Sequence, residues 1–227
     1  MSAISRLKSI DSPVPREDRR RTNPFATRWV RPGVIPFYFA DGPNAAALVE
    51  NLRENRWRGA IIGPHGSGKS TLLAALIPFI ESAGHPVRMI SLHDRQRSLP
   101  AEFTRLIHGN DGSIRSTMLV VDGYEQLGWQ ARRQLRATCR RNECGLLVTA
   151  HRASAAGGLP ILYCTQASLE TVQHLVKHEL PSHGGLIEPP DVATAFEARQ
   201  GNVRETLFAL YDLFERRRHA RQPSALN

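Results

Sequence analysis

The amino-acid chain has 227 residues, of which 41% are hydrophobic, and a formal net charge of +9 at pH 7. This length provides for one folded core with a small appended unit. The sequence has no run of 18 uncharged apolar residues, and residues 1–8 lack the apolar segment of a secretion signal, so we expect a cytoplasmic protein with no membrane partner. The three cysteines show neither CxxC spacing nor a histidine at zinc-finger spacing, which indicates neither a disulfide framework nor a metal site.

The N-terminal segment differs in composition from the rest of the chain. Residues 1–22 are polar, charged and rich in proline and arginine, which predicts a flexible basic leader. Residues 29–39 mix aromatic side chains with turn residues. A helix is then predicted from Asn44 to Glu54, with Asn44 as its N-cap.

A glycine-rich motif lies between a strand predicted at Gly59–Ile62 and a helix that starts at Thr71. The motif consists of Gly63, Pro64, His65, Gly66, Ser67, Gly68, Lys69 and Ser70. It matches G-x-x-x-x-G-K-[ST], in which glycines let backbone N–H groups turn toward phosphates and the following helix start attracts anions. We therefore predict that the motif and Thr71 bind a nucleotide, that Lys69 reaches its β and γ phosphates, and that Ser70 ligates Mg²⁺.

Two features near this loop leave alternatives open. His65 either donates a hydrogen bond near the nucleotide or, as we favour, faces solvent. The aromatic residues of 29–39 either pack beside the base or cover an edge of the sheet, which is the commoner use.

Apolar runs and amphipathic segments alternate beyond the loop. Strands are predicted at 87–92, 117–121, 145–149 and 160–164, and helices at 98–107 and 126–141. With the strand before the loop, this alternation predicts an α/β fold with a doubly wound, parallel, five-stranded sheet. We assign this nucleotide-binding core to residues 23–166.

The pattern changes after Thr165, because no further strand is predicted. Three helices are expected, at 168–180, 190–199 and 203–218. We interpret residues 167–219 as a small helical lid domain and residues 220–227 as a flexible tail.

Hydrolysis needs groups beyond the phosphate loop. Asp122 ends a buried parallel strand, at the sheet edge that carries the loop, and is predicted to hold Mg²⁺. Glu125 is placed to orient the attacking water, although an exposed acid at a helix start would look the same. Thr149 ends the next strand and either contacts the γ phosphate or the water, or is satisfied by local backbone.

Together these motifs resemble the P-loop ATPase division that includes the AAA+ and STAND families. The resemblance implies that the strand ending in Thr149 lies between the other two site strands. It also implies a role for Arg204, because Gly201–Glu205 resembles a turn in which an arginine at the start of a lid helix reaches the nucleotide; the alternative is a surface arginine. AAA+ proteins usually place a glutamate directly after the aspartate, whereas here Gly123 follows Asp122 and the acidic residue is Glu125. This pattern is closer to that of STAND proteins.

The sequence therefore predicts an ATP-binding, Mg²⁺-dependent ATPase that couples ATP hydrolysis to conformational change and acts on a partner. The alternatives are a nucleotide-dependent switch or nucleic-acid-associated module with little turnover and, less favoured, a small-molecule kinase. Candidate partners are nucleic acid, another protein and further copies of the chain. In an oligomer, Arg140, Arg141 or Arg152 of one copy would complete the nucleotide site of its neighbour. Basic clusters favour the nucleic acid; they lie at 16–21, 132–141 and 216–221.

Overall fold

The computed structural model describes residues 23–40, 42–93, 96–108, 114–180 and 185–221. The predicted leader, 1–22, lies outside the described residues, as do residues 222–227 of the predicted tail.

The five strands form one parallel sheet in the order β2-β3-β4-β1-β5. They are β1 (Arg58–Ile62), β2 (Val87–Ser91), β3 (Met118–Asp122), β4 (Gly145–Ala150) and β5 (Ile161–Cys164). Strands β3 and β4 are almost entirely apolar and buried, as expected where helices cover both faces of a sheet. The predicted α/β fold is confirmed, and β4 lies between β1 and β3 as the resemblance implied.

Helices connect the strands and form the C-terminal region. They are α1 (Thr27–Val30), α2 (Ala45–Glu54), α3 (Lys69–Ser82), α4 (Ala101–His108), α5 (Trp129–Arg141), α6 (Leu169–His174), α7 (Pro189–Ala198) and α8 (Val203–Arg221). The Asn44 side chain accepts a hydrogen bond from the backbone N–H of Ala47, which confirms the predicted N-cap of α2. The short helix α1 was not predicted from the sequence.

Helix boundaries differ from the predictions where backbone geometry intervenes. Helix α5 begins at Trp129 rather than at residue 126, because Tyr124–Gln126 form a separate 3₁₀ turn and Gly128 is extended. Gly123 starts that turn with a left-handed φ of 83°, which favours glycine. Helix α8 continues to Arg221, two residues into the predicted tail.

The core has one layer on each face of the sheet. Leu119 and Val121 of β3 pack with α4 and α5, while Met118 and Val120 face the opposite layer with α2 and α3. This alternation follows from the two-residue period of a strand. The sheet is therefore held between two apolar layers, and its loop edge is left free for polar residues.

The C-terminal helices α6, α7 and α8 share a separate apolar cluster. Val172, Leu210 and Phe214 belong to it, and Phe25 joins it with its ring centroid 6.3 Å from that of Phe214. Phe25, near the start of the described residues, thus packs against the C-terminal helices. No helix among the described residues is both long and apolar enough to cross a membrane.

Candidate nucleotide site

The glycine loop runs from the end of β1 to the start of α3 and is held close to other backbone. A Cβ atom on Gly63 would lie 2.2 Å from the Thr165 Oγ1, so a larger residue would clash there. The same Thr165 hydroxyl lies 2.6 Å from the Ser67 Oγ. Gly68, at the start of α3, has a left-handed φ of 93°. Glycine is therefore required on steric grounds on both sides of the loop.

Lys69 folds back over the loop. Its Nζ donates hydrogen bonds to the carbonyl oxygens of Gly63, at 2.7 Å, and Pro64, at 2.6 Å. Burial lowers the pKa of Lys69; Glu125 and Asp122 act in the opposite direction, and Arg204 lowers it slightly. The ammonium group is thus aimed along the loop, among the predicted site residues.

The two predicted Mg²⁺ ligands contact each other. The Ser70 hydroxyl donates to the Asp122 Oδ2 at 2.7 Å, although the two residues are 52 positions apart in the sequence. Mg²⁺ at nucleotide sites takes one or two carboxylates from protein and further ligands from phosphates and water. The Ser70 and Asp122 oxygens fit that donor set, and no group of three or more His, Cys, Asp or Glu in the described ranges forms a separate metal site.

Thr149 supports Asp122 from the neighbouring strand. Its hydroxyl donates to the Asp122 Oδ1 at 2.6 Å and accepts from the Gly123 backbone N–H at 2.8 Å. Thr149 is fully buried. The first hydrogen bond holds the carboxylate and the second orients the hydroxyl that donates it. The predicted contact between Thr149 and a γ phosphate or water stays a prediction.

Glu125 lies beside a pair of histidines. Its Oε1 is 3.0 Å from the His151 Nε2, while its Oε2 is buried without a hydrogen-bond partner in the described part of the chain. The ring of His151 contacts that of His65 edge to face, with 3.6 Å between the centroids. His65 is exposed, as we favoured from the sequence, and one side of its ring also contacts the end of β4.

Burial also lowers the pKa of His151. Glu125 opposes this shift, and His65, Lys69 and Arg152 add to it. A neutral imidazole at pH 7 follows, so its contact with Glu125 is then a hydrogen bond rather than an ion pair.

Arg132 holds the turn that carries Glu125. Its guanidinium donates to the carbonyl oxygens of Leu127, Ala155 and Glu125, at 2.7, 3.1 and 3.3 Å respectively. These bonds join the 3₁₀ turn after β3 to the loop after β4. In the sequence Arg132 stands out only as a member of a basic cluster, because nothing in the local pattern indicates acceptors 5 to 23 residues away.

The C-terminal helical segment approaches the loop through the start of α8. Asn202 caps this helix by accepting from the Glu205 N–H at 3.2 Å, and a Cβ on Gly66 would lie 1.9 Å from the Asn202 Oδ1. Arg204 is exposed and near enough to Lys69 to affect its pKa. The structure thus brings the predicted lid turn to the loop and adds Asn202, whose position before a helix was the only signal in the sequence.

An apolar cavity of about 490 Å³ adjoins the start of α3. Thr71 and Phe37 line it, and Phe37 packs edge to face on Phe39 and on Tyr163, which ends the sheet at β5. The aromatic segment therefore covers the β5 edge and also lines a cavity of the size that small-molecule sites have.

The arginines considered as donors to a neighbouring copy lie in two places. Arg152 follows His151 directly and is exposed. Arg140 and Arg141 end α5 at the opposite edge of the sheet, since α5 runs from the carboxyl end of β3 to the amino end of β4.

Solved structures share this fold. A DNA replication initiation factor aligns with a TM-score of 0.53 and 19% identity, over 81% of this chain and 66% of that one. The replication initiator DnaA bound to AMPPCP and single-stranded DNA aligns with a TM-score of 0.53 and 20% identity, over 79% and 63%. A variant of RuvB from Thermotoga maritima gives 0.50 and 13%, over 76% and 66%.

These neighbours are AAA+ P-loop NTPases, so the predicted resemblance is confirmed at the level of the fold. The chain spans just under two thirds of the length of each of the three. Its sequence matches no protein-family model and no curated protein.

Proposed function

We propose that this chain, which has the fold of AAA+ P-loop NTPases, is a Mg²⁺-dependent ATPase whose lid responds to the nucleotide. The observation that carries the proposal is the hydrogen bond of 2.7 Å between the Ser70 hydroxyl and the Asp122 carboxylate. It joins the end of the phosphate loop to the end of β3, as a shared metal ion requires.

Binding depends first on the loop backbone. Gly63 and Gly68 leave the phosphates free to approach the N–H groups, and the start of α3 adds its partial positive charge. Lys69 exchanges its two carbonyl acceptors for phosphate oxygens, which are stronger acceptors because they carry charge. Bound at Ser70 and Asp122, Mg²⁺ would neutralise charge on the β and γ phosphates.

Hydrolysis depends on Glu125. Its buried and unpaired Oε2 accepts a hydrogen bond from the attacking water, while His151 holds the other oxygen. The carboxylate orients the water for in-line attack on the γ phosphorus, and one proton of that water passes to Glu125 while the bond from the γ phosphorus to the bridging oxygen breaks and ADP leaves. Arg132 keeps Glu125 in place through the turn.

The lid is the element whose position responds to ATP hydrolysis. Asn202 contacts Gly66, and Arg204 lies in the electrostatic range of Lys69, so loss of the γ phosphate changes the charge that faces the start of α8. A partner that contacts α6, α7 or α8 would then experience the nucleotide state. This link resembles the sensor turn of AAA+ proteins.

Calorimetry and phosphate release test the proposal together. We expect purified chain to bind ATP more tightly with Mg²⁺ than without it, and to release phosphate. Ser70→Ala should lose most of the Mg²⁺ dependence, while the exposed Ser82→Ala, at the other end of α3, is the matched control. Absence of binding heat for both ATP and GTP would overturn the proposal.

A switch with little turnover is the second candidate, and the contact between Glu125 and His151 favours it. If wild-type chain binds ATP but releases phosphate no faster than Glu125→Gln, the chain is a switch. Mass spectrometry of candidate acceptors would detect transfer of the phosphoryl group and so identify a kinase.

A further inference from the structure

We propose that the outer face of α5, with the arginine cleft at its end, binds single-stranded nucleic acid through base stacking on Trp129 and phosphate contacts to arginine. This surface lies outside the nucleotide site, and its binding does not require ATP hydrolysis. The α5 stripe is defined here as Trp129, Arg133, Arg136 and Arg140.

The stripe follows the helical period. Its members are spaced at i, i+4, i+7 and i+11, so they lie on one side of α5 over about 16 Å. Leu135, Thr138 and Cys139 occupy the opposite, buried side. The arrangement is therefore one continuous surface rather than scattered arginines.

Trp129 is the most exposed large apolar side chain described. It is 67% exposed, which is unusual for tryptophan, and it stands at the first position of α5. The backbone carbonyl of Arg97 accepts from the Gly128 N–H at 2.9 Å, which brings the backbone of another exposed arginine to the residue before Trp129. A flat ring next to cations is the arrangement on which unpaired bases stack.

The charge of the helix is uncompensated. Helix α5 contains five arginines and no acidic residue. Arg133 and Arg140 are exposed and form no ion pair with any residue that the structure describes. Glu143, just beyond the helix, is paired with Arg115 at 2.6 Å. The stripe therefore presents charge that a polyanion would neutralise.

The far end of the stripe opens into a cleft. Arg136 and Arg140 line it with Arg58 of β1, and no carboxylate lines it. The Nε of Arg58 is buried and has no hydrogen-bond partner among the described residues, so it is a donor without an acceptor. The cavity of about 10 Å³ admits one water-sized group, such as a phosphate oxygen.

These observations favour a single strand over a duplex or an acidic protein. A paired base is already stacked on its neighbours and leaves no face for Trp129, whereas an unpaired base does. An acidic protein would use the arginines but not require the exposed ring. Trp129 and the cleft together therefore select a flexible strand with accessible bases.

Fluorescence anisotropy with a 5′-labelled oligothymidine tests the proposal on the full chain, without nucleotide and over a range of salt concentrations. Trp129→Ala should weaken binding by about fivefold or more, and Trp129→Phe should retain most of it. Arg133→Gln with Arg140→Gln should reduce the slope of log K against log salt by about 1.4, at about 0.7 per phosphate contact.

Arg199→Gln with Arg216→Gln is the matched control, because it removes the same charge from exposed arginines of the lid region. Equal effects of the two double variants would overturn the proposal, as would full affinity of Trp129→Ala. Binding of a duplex or of polyglutamate as tight as that of the oligothymidine would also overturn it. Lys69→Ala should leave oligothymidine binding unchanged, because the α5 stripe lies outside the nucleotide site. The proposal for α5 and the proposal of ATP binding can therefore fail independently of each other.

Discussion

The two halves of the candidate nucleotide site differ in how completely their hydrogen bonds are satisfied. In the half proposed to hold Mg²⁺, called the magnesium half, Ser70, Asp122 and Thr149 form a continuous chain with bonds of 2.6 to 2.8 Å. In the half proposed to orient the water, called the hydrolytic half, Glu125 has one oxygen on His151 and the other buried without a partner in the described residues. The side chains of the magnesium half are held by hydrogen bonds within the chain. In the hydrolytic half, the Glu125 Oε2 can accept a hydrogen bond from a bound molecule.

This difference indicates that binding and hydrolysis are separately adjustable. A satisfied buried network is rigid, whereas a buried polar atom without a partner raises the free energy of its environment until a donor arrives. The exposed neighbours of Glu125, including Arg152, are also open to another molecule. Changes in the magnesium half should therefore alter affinity or stability, and changes in the hydrolytic half should alter rate.

The largest effect is expected for Glu125→Gln. The amide fills the same space but cannot accept the proton of the water, so the rate of phosphate release should fall by about 10² to 10⁴. ATP affinity should stay close to that of the wild type, as measured by calorimetry. If turnover is unaffected by this change, Glu125 takes no part in hydrolysis, and the proposed functional difference between the two halves is wrong.

Lys69→Ala should act mainly on affinity. The variant loses charge-assisted hydrogen bonds to the phosphates, which corresponds to about 10- to 100-fold weaker ATP binding. Lys69→Arg is the matched control for charge, with different geometry. Wild-type affinity of Lys69→Ala in calorimetry would contradict the site as described.

Thr149→Val tests the magnesium half alone, because it removes the hydroxyl and its two hydrogen bonds while nearly preserving side-chain volume. The Gly123 N–H and the Asp122 Oδ1 both lose a partner, which should lower the free energy of unfolding by about 1 to 3 kcal/mol. Urea denaturation measures this loss. Thr149→Ser keeps the hydroxyl and should lose less; equal losses would show that the hydroxyl is not the cause.

The smallest effect is expected for His151→Asn and concerns pH. Burial holds the pKa of His151 below 6.5, so the wild-type imidazole is neutral at pH 7 and gains charge only as pH falls through that lowered value. A charged imidazole would pair with Glu125 and make it a weaker base, so wild-type turnover should decline on the acid side.

The variant lacks this titration and should keep its rate to lower pH, as seen in turnover measured from pH 5 to 8. His65, Lys69 and Arg152 also face His151, and they favour its neutral form. Identical acid limbs in the two proteins would show that His151 does not control Glu125.

The glycine loop, the apolar strands and the aspartate at the end of β3 could all be predicted from the amino-acid sequence. These are local features: glycine spacing, a run of apolar residues and a polar residue at its end each depend on near neighbours. The strand alternation also sufficed for a parallel five-stranded sheet. The family resemblance implied only that β4 lies between β1 and β3, and the places of β2 and β5 come from the structure.

Which side chains contact each other could not be predicted from the sequence and depends on how the chain folds. The contact between His65 and His151, the bonds of Arg132 to two loops and the approach of Asn202 to Gly66 all join residues distant in sequence. Such pairs depend on strand order and helix docking, which set distances that local composition does not encode. Likewise the spacing of the arginines in α5 follows from sequence, but the cleft exists only because folding brings Arg58 beside them.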